Sequence, residues 1–482
     1  MSQKINRKVL MVVLLLGGFL SILNQTILNV ALSSFRDVFD VSTTTVQWLS
    51  TGFMLVNGIL IPITAFLMKR FSTRQLFISA MLLLLIGSFF CAIAPSFPIL
   101  LMGRMIQAGG AGIVMPLMMS VMMFIFPPDK RGSAMGLLGL AMIFAPAIAP
   151  TLSGFVVEYL SWRWLFIGLI PLVAIVILLA MKYLVNVTET SKVQLDVPSV
   201  ILSTIGFGAV LYGFSSAGSL GWSNMVVIAT IVIGVAALAL FSVRQVRSDD
   251  PFLNLSVFKN VTFTMTSVLT ILVTMMMYAD MILLPMYLQN GLGYTALNSG
   301  LLLLPGSIVN ALLSPVAGNL YDRIGAKPLF VIGLLFVIPS MWVVTSLTAS
   351  VSFTFLMVRT IFLRIGLSFI SMPLSTAGLN ALPSNLITHG TAVNNTVRQI
   401  AGAIGTAVVV TIYSTRATSH AGELVSQGIT KGVSALSSVF ATNGAYYFMT
   451  ILAAIALVIT FFTPLAKPAA GKEIVGDVEL ES

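Results

Sequence analysis

The chain has 482 residues, of which 57% are hydrophobic and only 8% charged, with a mean hydropathy of +1.02. That is more apolar surface than the core of a water-soluble domain can hide, so a soluble enzyme or binding module is excluded and an integral membrane protein is implied. The net charge of +10 does not indicate nucleic acid, because the basic residues sit in short loops between apolar runs and form no continuous patch.

Lys4, Arg7 and Lys8 precede an apolar run that lacks a small-residue cleavage site, which predicts an uncleaved first helix. A helix needs roughly 20 apolar residues to cross the hydrocarbon core. Fourteen segments meet that length, at about 9-32, 46-68, 76-95, 98-123, 134-158, 163-184, 198-216, 223-243, 262-288, 297-320, 328-347, 352-375, 392-414 and 443-464. The only sizeable outer loop is predicted at 415-441, and the tail after Pro464 turns polar and acidic. With a cytoplasmic N-terminus, only Arg36, Arg163, Arg416 and Lys431 face outward, Arg104, Arg359, Arg364 and Arg398 fall inside spans, and the other basic residues gather inside. That asymmetry obeys the positive-inside rule and predicts both termini in the cytoplasm of a multi-pass plasma-membrane protein. The single cysteine, Cys91, cannot build a disulfide or a cysteine-ligated metal site within the chain.

In chain order, the first span carries "SILNQTILNVALSSF", with Asn24, Gln25, Thr26 and Asn29 but no acid. Gln25 and Asn29 are four apart and share a face, either as glue to a neighbouring helix or as cavity lining. The fourth span opens "GRMIQAGGAG", where Arg104 is costly unless it meets water or an acceptor or snorkels to the interface; Gln107 follows one turn later. In the fifth, Ala145, Ala149 and Ser153 recur every four residues beside Gly154, letting two backbones approach, while Pro146 and Pro150 permit bending. Glu158, near the outer end of that helix, either titrates or pairs with Arg163.

The ninth span holds Met275 and Tyr278 before Asp280, the one acid deep inside a span. An ionised carboxylate there is expensive, so Asp280 is the first candidate for a proton or cation site, unless it is locked to Arg104, Arg359, Arg364 or Arg398. The methionines can adapt to varied apolar ligands or simply fill space. After the tenth span, "GNLYDRIGAK" places an acid and adjacent bases between two helix ends, a pattern able to cap a helix and hold one side shut, or simply a turn with inside charges. The thirteenth span contributes Arg398.

Sliding the chain on itself by about 255 residues aligns "LLMGRMIQAGG" with "FLMVRTIFLRIG" and "RGSAMG" with "HGTAVN". The repeat predicts an all-α polytopic fold of fourteen transmembrane helices: a six-helix bundle over 1-190, an inserted pair over 191-255, a second six-helix bundle over 256-466 and a tail over 467-482.

These phrases carry a resemblance. "GNLYDRIGAK" follows the cytoplasmic loop pattern of the major facilitator superfamily, through Gly318, Asp322, Arg323, Gly325 and Lys327. "APAIAPTLSG" resembles the family's antiporter signature with Ala145, Ala149 and Ser153 in place of glycines, and "GRMIQAGG" resembles the Arg-x-x-Gln-Gly motif of drug:proton antiporters. With "PMYLQNGLGYTALNSGLLLLPG" and "NNTVRQIAGAIGTAV", the chain is similar from Leu14 to about Pro464 to the 14-helix branch containing the quaternary-ammonium and lincomycin exporters. That branch usually has an aspartate, thought to take part in proton coupling, where this chain has Asn24, and an amide cannot carry a proton. The resemblance implies a bacterial antiporter that expels amphiphilic drugs or antibiotics against protons.

The expected partners are the bilayer, a small-molecule substrate and protons, with no nucleic acid, and the expected state is a monomer. Substrate-cavity candidates are Asn24, Gln25, Asn29, Arg104, Gln107, Met275, Tyr278, Arg359 and Arg398; proton-coupling candidates are Asp280 and Glu158. No phosphate loop, His-Glu-x-x-His motif or nucleophile elbow occurs, so no cofactor, metal or catalytic residue is expected. A rival reading keeps the fold and changes the cargo: four in-span arginines against one deep aspartate favour an anionic metabolite, nucleotide-like signal or lipid.

Overall fold

The computed structural model describes residues 5–187, 196–248, 251, 253–348, 351–429, 431–465 and 480–481. Among them are fourteen helices long and apolar enough to cross a membrane. They are α1 (Arg7–Phe39), α2 (Trp48–Arg70), α3 (Thr73–Ile93), α4 (Phe97–Ile125), α5 (Arg131–Tyr159), α6 (Trp164–Tyr183), α7 (Val197–Leu220) and α8 (Met225–Arg247). Then follow α9 (Val261–Gly291), α10 (Ala296–Ile324), α11 (Ala326–Trp342), α12 (Phe353–Asn380), α13 (Ile387–Ser426) and α14 (Val433–Phe462).

Local chemistry sets the helix starts. Ser72 and Gln75 form a reciprocal capping box at α3, Asn260 accepts from Phe263 N–H at α9, and Ser352 accepts from Phe355 N–H at α12. Each side-chain oxygen satisfies an amide that a membrane-embedded helix end would otherwise leave bare. Glycine sets the α10–α11 turn, where Gly325 has φ 83°, a conformation that side chains disfavour. The last turn of α9 widens into a π-helix over Tyr287–Gly291, just beyond Pro285, and Tyr287 reaches across to donate to the Thr348 carbonyl at 3.0 Å.

One expectation is corrected. The segment expected as an outer loop at 415-441 is mostly helix: α13 runs on to Ser426 and α14 begins at Val433. The stretch "STRATSHAGELVS" is polar but lacks proline, and polarity by itself does not make a segment irregular. The extension is locked by Arg416 lying 4.7 Å over the Phe440 ring and by His420 stacked on the same ring.

The buried apolar side chains fall into two main clusters, one drawn mostly from α1–α6 and the other from α9–α14. α7 packs against both α2 and α13, with α8 on its far side. The main seam between the two groups is α5 against α10. There a Cβ on Gly136 would stand 2.7 Å from the Ser314 carbonyl, and one on Gly318 would collide with the Gly132 carbonyl. Ser314 Oγ donates to the Gly136 carbonyl at 3.0 Å. Towards the other end of the same two helices, Gly154 and Gly300 have nothing within 4 Å of a Cβ position, so the seam is tight at one end and open at the other. The tight end is the basic one, carrying Lys69, Arg70, Lys130, Arg131, Arg323 and Lys327.

Candidate functional site

Two buried arginines organise the interior. Arg104 of α4 is fully buried, and its Nη1 donates to the carbonyl and Oδ1 of Asn24 on α1, both at 3.2 Å, and to Gln107 Oε1 at 2.8 Å. Its guanidinium lies 4.3 Å from the centre of the Phe53 ring. Gln107 Nε2 continues the chain to Ser88 Oγ at 2.9 Å, and Ser88 donates to the Leu84 carbonyl at 2.7 Å. α3 packs closely on α4 beside this network: a Cβ on Gly103 would sit 2.7 Å from Cys91 Sγ. Among the described residues Arg104 has amides, a hydroxyl network and a ring around it, but no carboxylate.

The other half repeats the arrangement with one change. Arg359 of α12 donates through Nη1 to Asp280 Oδ1 of α9 at 2.9 Å and through Nε to the Ser340 carbonyl at 2.7 Å. Tyr446 of α14 donates to the same Asp280 oxygen at 2.8 Å, and Arg364 reaches Oδ2 at 3.4 Å. Asp280 is wholly buried, while the Arg364 side chain keeps 12% of its surface exposed. The offset of about 255 residues that brings Arg104 onto Arg359 brings Asn24 to within one residue of Asp280. Each half therefore presses an arginine of its fourth helix against a polar residue of its first, and only the second pair contains an acid.

Between α9, α12 and α13 lies a water-sized cavity lined by Thr270, Val273, Thr274, Met277, Ser371, Leu374 and Arg398. Met275 and Tyr278 turn instead towards α13, where their backbone and ring pack on Gly405 and Gly402.

The basic end is closed by side chains crossing the seam. Asp322 accepts from Gly132 N–H at 2.7 Å and from Ser133 N–H and Oγ at 2.8 and 2.6 Å, so a carboxylate of α10 caps the N-terminus of α5. Arg131 Nη1 donates to Asn380 Oδ1 at 2.8 Å, and Asn380 Nδ2 donates to the Tyr321 hydroxyl at 3.1 Å. Ser120 meets Thr388 at 3.3 Å, and Asn395 approaches Met119 Sδ at 3.1 Å. Among the described residues, the hydrogen bonds joining α1–α6 to α9–α14 all lie in this half of the molecule.

Of the motif that ends α10 and turns into α11, Gly318 and Asp322 cross the seam, Gly325 makes the turn, and Lys327 Nζ donates to the Phe461 carbonyl at the end of α14 at 2.8 Å. Arg323 is exposed. On α5, Ala145, Ala149 and Ser153 are buried, Pro146 and Gly154 are half-buried, and the Pro150 side chain falls outside the described residues, as does that of Asn29 on α1. Gln25 is half-buried and Glu158 exposed. The pairing of Glu158 with Arg163 is not formed: Arg163 donates to the Ala94 carbonyl at 3.2 Å and lies over Trp162 at 4.4 Å. Sequence reasoning passed over Tyr446, Ser340, Ser88, Phe53, Arg131, Asn380 and the amides of Gly132 and Ser133. Of these, Arg131, Gly132 and Ser133 carried a signal that could have flagged them, from their place in the internal repeat.

The chain has counterparts among known proteins. A family model described as the Major Facilitator Superfamily matches residues 14–406. The chain belongs to the Major Facilitator Superfamily. It is 49% identical over 415 residues to the uncharacterized MFS-type transporter YhcA of Bacillus subtilis, covering 86% of this chain and 78% of that one. It is 42% identical over 476 residues to the lincomycin resistance protein LmrB of the same organism, covering 97% and 98%. Among solved structures, the proton:xylose symporter XylE superposes with a TM-score of 0.63 at 15% identity, over 96% of this chain and 97% of that one, a likeness of fold. This facilitator is thus a multi-pass membrane transporter of the 14-helix drug-transporter branch.

Proposed function

We propose that this facilitator exports amphiphilic drugs or antibiotics in exchange for protons, by alternating access of the bundles over 1-190 and 256-466 with the pair over 191-255 bridging them. The observation that carries the reading is the Asp280 cluster: one carboxylate deep in a span, held by Arg359, Arg364 and Tyr446. A charged group at that depth is tolerated only while paired. A proton on Asp280 removes the attraction that holds both guanidinium groups, so the arginines must find other acceptors and the α9–α12–α14 packing must readjust.

The basic end is the cytoplasmic one in this reading, by the positive-inside rule, with both termini on that side. This conformation is closed to the cytoplasm through Asp322 and Arg131 and open at the opposite end of the α5–α10 seam. It is the state that releases cargo outward and takes up protons. Drug export as the cargo class is supported by LmrB, whose name records lincomycin resistance.

The test is proton-driven efflux in everted vesicles, with lincosamides and dyes as cargo, for the parent and Asp280→Asn. The expected result is loss of gradient-driven transport with substrate binding retained in the variant. Unchanged transport by Asp280→Asn overturns the coupling role.

A further inference from the structure

The charges of the interior do not balance. Asp280, the acid deep in the spans, is already committed to Arg359 and Arg364. Arg104 is held by neutral amides. Arg398 has no hydrogen-bonding or ion-pair partner among the described residues, and it lines the cavity between α9, α12 and α13. The same wall carries the hydroxyls of Thr274 and Ser371 together with the apolar Val273, Met277 and Leu374. A guanidinium beside hydroxyls, flanked by aliphatic surface, is complementary to a carboxylate on an apolar body, because its planar fork donates two parallel hydrogen bonds to such a group. A cationic head would face an unscreened like charge in a medium that screens poorly.

We propose that Arg398 is the site that receives an anionic group of the cargo, a carboxylate or a similar oxyanion, with Thr274 and Ser371 as auxiliary donors, the water-sized cavity holding that group alone and the body of the cargo lying outside it. This rests on the export reading and sharpens it: the cargo that binds best is an amphiphilic acid or zwitterion. Cations lacking an acid bind worse.

The test compares two dyes with one xanthene body and opposite charge, carboxyfluorescein and rhodamine 123, by fluorescence anisotropy on the full-length protein in lipid nanodiscs without any gradient. The parent is expected to prefer carboxyfluorescein. Arg398→Gln is expected to weaken carboxyfluorescein binding about tenfold or more, the worth of one charge-assisted contact, and to leave rhodamine unchanged or tighter. Arg398→Lys, which keeps the charge but loses the fork, is expected to fall between them. Should Arg398→Gln not fold, Ser371→Ala answers the same question, with a loss of a few fold confined to the anionic dye. Equal binding of both dyes by parent and variants, or a parent preference for rhodamine, overturns the assignment. Because no gradient is used, failure of proton coupling at Asp280 leaves this result readable on its own.

Discussion

Asp322→Asn should unlatch the basic end. The carboxylate accepts three hydrogen bonds from the first turn of α5, at 2.7, 2.8 and 2.6 Å, and sits at the positive pole of that helix. Asparagine keeps the shape and one acceptor oxygen but loses the charge, and turns an NH2 group towards donors. Hydrogen bonds to a charged acceptor contribute about 1.5–3 kcal/mol each, and an anion at a helix N-terminus about 1 kcal/mol. With one bond retained at Oδ1 and the two at Oδ2 lost, the closed state loses about 4 kcal/mol at the lower bound of these values, or about a thousandfold in its ratio to the open state. A closed-to-open ratio of 99:1 would then become roughly 1:10. The assay is a pulsed electron-spin distance measurement between labels at Phe71→Cys and Phe462→Cys, both exposed on the basic side. Cys91, the native cysteine, is buried and escapes the label. A new long-distance population is expected in Asp322→Asn but not in Arg323→Gln, whose side chain is exposed. An unchanged distance distribution in Asp322→Asn would refute the idea that this cap holds the end shut.

Tyr446→Phe removes one of the donors that stabilise Asp280 and should cost about 1.5 kcal/mol, read as a lower melting temperature in detergent; an unshifted melt means that the hydroxyl contributes nothing. Asp196 at the start of α7 is bonded to Arg244 near the end of α8, and that bond, with a further one from Ser199, holds its carboxyl below the ordinary 3.8. A depressed folded-state value means that the contribution is present at neutral pH and is lost as the pH falls below 3.8. The melting difference between parent and Asp196→Asn should therefore be found at pH 7 and vanish in strong acid, and a difference independent of pH counts against it. Asn24→Asp gives Arg104 a counter-charge and removes the Asn24 Nδ2 donor that has no partner. It should raise the number of protons exchanged per cargo molecule in a reversal-potential measurement, and an unchanged stoichiometry would show that this position cannot couple.

The spans were legible because burial in lipid leaves a mark on every residue of a segment, and the core of a soluble domain does not demand an unbroken run of roughly 20 apolar positions. Asp280 stood out for the same reason, as a violation of that run. Its partners did not. Arg359 and Arg364 were two of four possible arginines, and nothing in "GAYYF" distinguishes Tyr446, which donates to Asp280, from Tyr447, which is exposed. The direction of a side chain around a helix inside a bundle depends on packing of neighbours that no local pattern encodes. Asp322 was legible as a motif residue, but its partners are backbone amides of Gly132 and Ser133, which have no side-chain signature. The α13 extension misled for the opposite reason: a polar segment can be helical without an apolar run.

One helix connects these pieces. α12 carries Arg359 and Arg364 against Asp280, Ser371 on the cavity wall two turns further on, and Asn380 at the basic end, where it holds Arg131 of α5. A helix transmits axial displacement along its length because its backbone hydrogen bonds run parallel to its axis. Pro373, between Ser371 and Asn380, removes one of those bonds and sets where the transmission can bend. Neutralising Asp280 frees the outer half of α12, and any shift there moves a cavity residue first and a gate residue second. The proposed coupling therefore needs no relay of side chains across the molecule. It needs α12 to have two resting positions, one with the carboxylate charged and Arg131 held by Asn380, the other with neither.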